Sequence, residues 1–161
     1  MSSIEPDNLE TRLAGIRAIA SASERTGLYR ALLSEIEGRV PPDLHGRARI
    51  HIELANTSRE LGQVQPAIEQ ALEAGRLAEA TGDPTLRGRA ILATSHIFFT
   101  SGLLEEARRR ARLVLDIPDV SPACRTLAQV NIASSLRSEG SLVEAAEAFD
   151  LLLDNLDDQA P

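Results

Sequence analysis

Residues 54–74, LANTSRELGQVQPAIEQALEA, constrain the fold of this chain more than any other stretch. A Leu54-Ala55 pair precedes Gly62, a hydrophobe follows at Val64, and small side chains recur at Ala67, Ala71 and Ala74. Residues three and four apart on a helix share a face, so these alanines make a face without bulk. The stretch reads as a helix, a tight turn and a second helix packed closely on the first. The same layout recurs around Gly102 and Gly140 and more faintly around Gly27, placing turn glycines 35, 40 and 38 residues apart. A period in that range predicts stacked helical hairpins.

Composition agrees. Hydrophobic residues make up 43% of the 161 residues but aromatics only 2%, so the core must be built from Ala, Leu, Ile and Val. That suits helix-on-helix packing better than a sandwich of aromatic-rich strands. The formal charge of −7 argues against nucleic acid as a partner, which needs a positive field. All 17 basic residues are Arg, whose planar fork suits carboxylates. With Cys124 as the one cysteine, neither an intramolecular disulfide nor a cysteine metal site can form. No apolar run approaches the roughly 20 residues of a membrane span, and the N-terminal MSSIEPDNLE is acidic, unlike a signal peptide. A soluble, cytoplasmic protein with no membrane partner is expected.

In chain order, a first helix is expected from Asp7, with Glu10 as capping-box partner, to a turn at Gly27. A second spans 28–38 with Tyr29, Leu32, Leu33 and Ile36 inward, stopped by Pro41-Pro42. Asp43 caps a third helix running to Leu61, and a fourth covers 64–80. Gly82-Asp83-Pro84 supplies in turn a helix stop, a cap and a first-turn proline for a fifth helix ending at Ser101. A sixth covers 103–115. Ser121-Pro122 starts a seventh, ending near Glu139, and Ser141 with Glu144 opens an eighth, to about Leu153.

These residues resemble the tetratricopeptide-repeat (TPR) family. Aligned on the turn glycines, the family's small site in the first helix falls on Ala20, Ala55, Ser95 and Ala133, after Ile19, Leu54, Thr94 and Ile132. The site after the turn falls on Tyr29, Val64, Leu104 and Leu142, and the second-helix alanine on Leu32, Ala67, Ala107 and Ala145. The chain departs from the family at its early Trp site, here Ile16, His51, Ile91 and Gln129. It departs again at the central Tyr site, here Ser23, Ser58, Phe98 and Leu136. The long units look like those of bacterial TPR proteins. The resemblance implies an all-α, right-handed solenoid of about four helix-turn-helix repeats. It forms a single domain over 7–156, in units 7–40, 43–82, 84–117 and 121–156, with 157–161 a frayed tail.

No phosphate loop, GxSxG, HExxH or CxxC is present, so no enzyme activity, catalytic residue, metal or cofactor is expected. His45 and His51 lie on different helix faces and His96 is isolated. The Glu105 to Arg112 run reads as i,i+4 pairs on a solvated face, each worth about 0.3–0.5 kcal/mol.

The TPR resemblance implies a concave groove lined by first helices. It would carry Arg17, then Arg49, Ile52, Asn56 and Arg59, then Arg89, Leu92, His96 and Phe99, and finally Val130 and Arg137, with Ser21, Glu24, Leu127 and Ser134 among them. Arginines beside apolar patches suit a protein or peptide that is acidic or has a free C-terminus. The chain lacks the Lys of the family's two-carboxylate clamp. The eighth helix bears Leu142, Ala146, Phe149 and Leu153 with nothing apolar after them to cover them, so a homodimer or an adjoining domain is expected there. The reading is a protein- or peptide-binding scaffold. The alternative is a sensory or dimerisation input domain of a larger bacterial signalling protein, such as a transcriptional regulator or cyclic-dinucleotide synthase.

Overall fold

The computed structural model describes residues 6–157. Eight helices follow one another, and no strand occurs among the described residues. They are α1 (Pro6–Arg17), α2 (Ala22–Glu37), α3 (Leu44–Glu60), α4 (Val64–Thr81), α5 (Pro84–Thr100), α6 (Leu104–Leu115), α7 (Pro122–Glu139) and α8 (Leu142–Asp157). The described residues divide into two compact units, one ending at Thr81 and the other beginning at Gly82. The expected frayed tail lies outside the described residues, apart from Asp157, which ends α8.

In the first unit, α3 and α4 pack most extensively, followed by α2 against α3. Ala55, Ala67, Ala71 and Ala74 are all buried at the α3–α4 contact or beside it. Small side chains there let backbones come within the short end of the usual 8–10 Å interaxial range. Leu13, Tyr29, Leu32, Ile36, Ile50 and Leu54 form the apolar core that α1, α2 and α3 share.

The second unit repeats the scheme, with α5 on α6, α6 on α7, α7 on α8, and α5 beside α7. Its core gathers Leu92, Ala111, Val114, Ile117, Val120, Cys124 and Ala128. Gly88 lies where α5 meets the α6–α7 loop. A Cβ there would stand 2.8 Å from Val120 Cγ2, so that approach depends on having no side chain.

Most expected stops and caps form. Asp43 accepts from the Gly46 amide at 2.8 Å, and Asp83 accepts from Thr85 and Leu86 amides at 2.8 and 3.0 Å. Ser121 accepts from the Cys124 amide at 3.4 Å. Gly62, Gly102 and Gly140 turn the chain at positive φ.

The expected turn at Gly27 is corrected. Gly27 sits inside α2, exposed, and the chain breaks instead at 18–21. Ser21 caps α2 by accepting from the Glu24 amide at 3.3 Å. A Ser-x-x-Glu start is a strong local signal, whereas one glycine inside a helix costs only about 1 kcal/mol. The Arg25 guanidinium then donates to the Ile19 carbonyl at 2.8 Å, satisfying backbone released where α1 ends.

Two glycine substitutions separate these roles in urea denaturation. Gly27→Ala, with nothing within 4 Å of the new Cβ, should stabilise the chain by up to about 1 kcal/mol. Gly88→Ala should destabilise it by about 1–3 kcal/mol through overpacking against Val120.

Candidate functional site

The expected groove residues divide between the two units, and the structure gives them unlike environments. In the first unit, α3 carries Arg49, Glu53, Asn56 and Glu60 at spacings of four, three and four, one stripe of a helix. Three of the four are joined to α1 or α2. Arg49 pairs with Glu10 and Glu60 with Arg25. Glu53 accepts from Arg17 through Nη2 at 2.6 Å and Nε at 3.0 Å.

Arg17 and Arg49, read from sequence as ligands for a partner's carboxylates, are therefore held by carboxylates of the chain itself. Arg49 is 8% exposed and Ile52 4%, so both serve packing rather than accessible surface. Asn56 and Arg59 remain half-buried on the same helix.

Tyr29 lies at the centre of this charged lattice. It is 1% exposed, and its hydroxyl finds no hydrogen-bond partner. Burial first, then the negative field of Glu53, pushes its pKa from 10.0 up to about 12. The Arg17 guanidinium is raised further above its ordinary value, chiefly by its hydrogen bonds to Glu53.

Between α1 and α2 is a cleft of about 320 Å³ lined by Ile16, Ile19, Leu28 and Leu32 among others. Arg12 and Glu35 close one side with a two-fold ion pair, both contacts at 2.7 Å. That guanidinium holds the Glu35 carboxyl below its usual range.

In the second unit, α5 and α7 lie side by side. Asn131 Nδ2 is 3.5 Å from Ser95 Oγ, which donates to the Ala107 carbonyl at 2.8 Å. Ser135 donates to the Asn131 carbonyl at 2.8 Å. Sequence patterning marked Ser95 only as a small residue; its hydroxyl ties α5 to both neighbours. Beside this buried seam, α5 presents Arg89, His96 and Phe99, and α7 presents Leu127, Val130, Ser134 and Arg137. Leu92 shares their spacing but is 7% exposed and belongs to the core. His96, Leu127 and Arg137 are exposed; Arg89, Phe99, Val130 and Ser134 are half-buried.

On α8, Leu142, Ala146 and Leu153 are exposed and Phe149 is half-buried. Among the described residues, no three His, Cys, Asp or Glu side chains gather as a metal site needs. No described helix is long and apolar enough to cross a membrane.

Two measurements test the first unit. Glu53→Gln should cost about 1–3 kcal/mol in urea denaturation, because it leaves Arg17 without its charge partner. Tyr29 is the one tyrosine and there is no tryptophan, so absorbance near 295 nm titrates it directly. Half-ionisation should fall at about pH 12 rather than 10.0. Because the folded value is raised, Tyr29 favours the fold fully below pH 10 and loses that contribution as pH rises through 12. Tyr29→Phe should remove this alkaline loss.

No family model matches the sequence, and no curated protein matches it. Solved structures do match by fold, among them two of one protein. One is the crystal structure of nearly identical TPR-like repeats from a protein designated a kinesin light chain of Podosopora anserina, and the other is a single-residue variant of it. Each aligns with a TM-score of 0.72 and 19% identity, over 99% of this chain and 80% of the other. The likeness is one of backbone: this chain is all-α and has the TPR-like helical repeat fold.

Proposed function

We propose that this chain is a non-enzymatic, cytoplasmic scaffold that binds a protein or peptide on the open face of its first-of-pair helices. The carrying observation is the α5–α7 face. Leu127, Val130 and Phe99 offer apolar surface there, with Arg89 and Arg137 on the same two helix faces. Beneath it the Asn131 amide ties α7 to Ser95 of α5, and Ser95 is itself anchored to the Ala107 carbonyl of α6, before any ligand arrives. A partner then loses less freedom on binding than it would on a mobile surface.

The chemistry suits an extended segment with an acidic side chain or a C-terminal carboxylate for an arginine. In the first unit, Asn56 and Arg59 are the accessible counterparts of this face. Arg17 and Arg49 are excluded as ligands in this reading, since Glu53 and Glu10 hold them.

A second reading, the input domain of a larger bacterial signalling protein, draws on one observation. The leucines exposed on α8 would suit contact with an adjoining domain or a second copy.

The test is a pull-down from lysate with identification of the captured protein, followed by affinity measurement on the purified pair. Leu127→Ser with Arg137→Glu should weaken binding at least about tenfold, equivalent to about 1.4 kcal/mol, with circular dichroism unchanged. Both residues are exposed, so the fold should tolerate them. Equal affinity for the variant would remove the α5–α7 face as the site.

A further inference from the structure

One helix of the first unit is attached differently from the others. Where α3 and α4 meet, the small side chains Ala55, Ala67, Ala71 and Ala74 are buried. The small residues of α1, Ala14 and Gly15, are exposed instead. α1 packs less extensively against α2 than α2 does against α3, and the cleft of about 320 Å³ opens between α1 and α2. Its share of the apolar core is one fully buried side chain, Leu13, with Leu9 and Ile16 partly buried beside it.

Charge supplies the rest of the attachment. Glu10 pairs with Arg49 of α3, Arg12 with Glu35 of α2 at 2.7 Å, and Arg17 with Glu53 of α3 at 2.6 Å. The α1 member of each pair is well exposed: the side chains of Glu10, Arg12 and Arg17 are 57%, 36% and 39% accessible. Dissolved salt therefore reaches all three pairs, and screening weakens pairs that face solvent.

The chain after α1 carries its own ties. Residues 18–21 are not helical. α2 has its own cap, Ser21 accepting from the Glu24 amide at 3.3 Å. Arg25 of α2 donates to the Ile19 carbonyl at 2.8 Å and also pairs with Glu60 of α3, so the far end of the connector is anchored to α2 and α3. Tyr29, Leu32 and Ile36 of α2 pack with Ile50 and Leu54 of α3 in one core. None of these ties passes through a side chain of α1.

We infer that α1 is a charge-held strap: it opens as a unit about residues 18–21 while α2, α3 and α4 stay packed, and ionic strength sets how often it opens. Local opening is easiest where buried apolar contacts are few, which in this unit is α1. Salt weakens its three ion pairs together, whereas the α3–α4 contact rests on buried alanines that salt does not loosen. In the open state Arg49 and Glu53 lose the partners that α1 gives them, and the core that Leu13 shares with Tyr29, Leu32 and Leu54 is uncovered on that side. The strap thereby controls access to the charged stripe of α3.

The test is amide hydrogen exchange, followed by NMR on the 161-residue chain. It is run in NaCl at about 0.1 M and about 1 M, where the Debye length falls from about 10 Å to about 3 Å. At the lower salt, amides of 12–17 in α1 should exchange at least about tenfold faster than those of 50–58 in α3. At the higher salt the α1 amides should speed up by about a further tenfold and the α3 amides should not. Arg12→Glu sets an acid against Glu35, so it should speed α1 exchange at low salt at least about tenfold and shrink the salt effect. Adding Glu35→Arg should slow α1 exchange again. Fraying from the N-terminus would not respond to a change at position 35.

Equal exchange of the α1 and α3 amides, α1 exchange indifferent to salt, or the same salt effect in α3 would each overturn the inference. So would an Arg12→Glu variant that Glu35→Arg fails to slow, since the pair would then not hold the helix. The strap belongs to the first unit alone, so its failure leaves the α5–α7 reading standing.

Discussion

Close approach of helix backbones is the condition on which everything else in this molecule rests. With one tyrosine, three phenylalanines and no tryptophan, the chain has few large side chains to bridge wide gaps between helices. Its helices bury one another by shortening the distance instead, with Ala55, Ala67, Ala71 and Ala74 in the first unit and Ala107, Ala111, Ala128 and Ala133 in the second. The hydrophobic gain per alanine is small, so the whole length of each helix must be in contact. That requirement fixes helix orientation tightly, and it brings many of the polar side chains between helices into pairs.

The pairing follows the repeat. Arg17 to Glu53 spans 36 residues, Arg25 to Glu60 spans 35, and Ser95 to Asn131 and Thr85 to Ser121 span 36. Each of these side chains finds its partner about one repeat away: Arg17, Ser95 and Thr85 reach the next equivalent helix or its cap, and Arg25 of α2 reaches the end of α3. Helix interiors satisfy their own backbones, so what joins one helix to another is packing and these side-chain ties. Arg125 does the same job at closer range, donating to the Leu115 and Ile117 carbonyls where α6 ends.

The helices, and the hairpins after the first, were legible because their signals are local: Asp43, Asp83-Pro84 and Ser121-Pro122 each cap the helix that follows them. Gly27 misled because a glycine was weighed above the Ser21-x-x-Glu24 start six residues earlier, although both were visible. The roles of Arg17 and Arg49 were not legible by the same means. An arginine facing the open side of a helix and one bonded to a glutamate 36 residues away have the same local sequence. Only a search for opposite charges at one repeat's separation would have proposed Glu53 for Arg17. Tyr29 was legible as core, but its unsatisfied hydroxyl depends on where Arg17, Arg25 and their glutamates come to rest.

Ties that reach about one repeat have a consequence for how such a chain is made. A fold knit by contacts between distant ends must wait for synthesis to finish. Here the ion pairs that join one helix of the first unit to another need only α1 to α3, and its helix pairs can close once residues to Thr81 are clear of the ribosome. Low sequence separation between contacting residues favours rapid folding. Within each unit, assembly can then advance helix by helix with the growing chain.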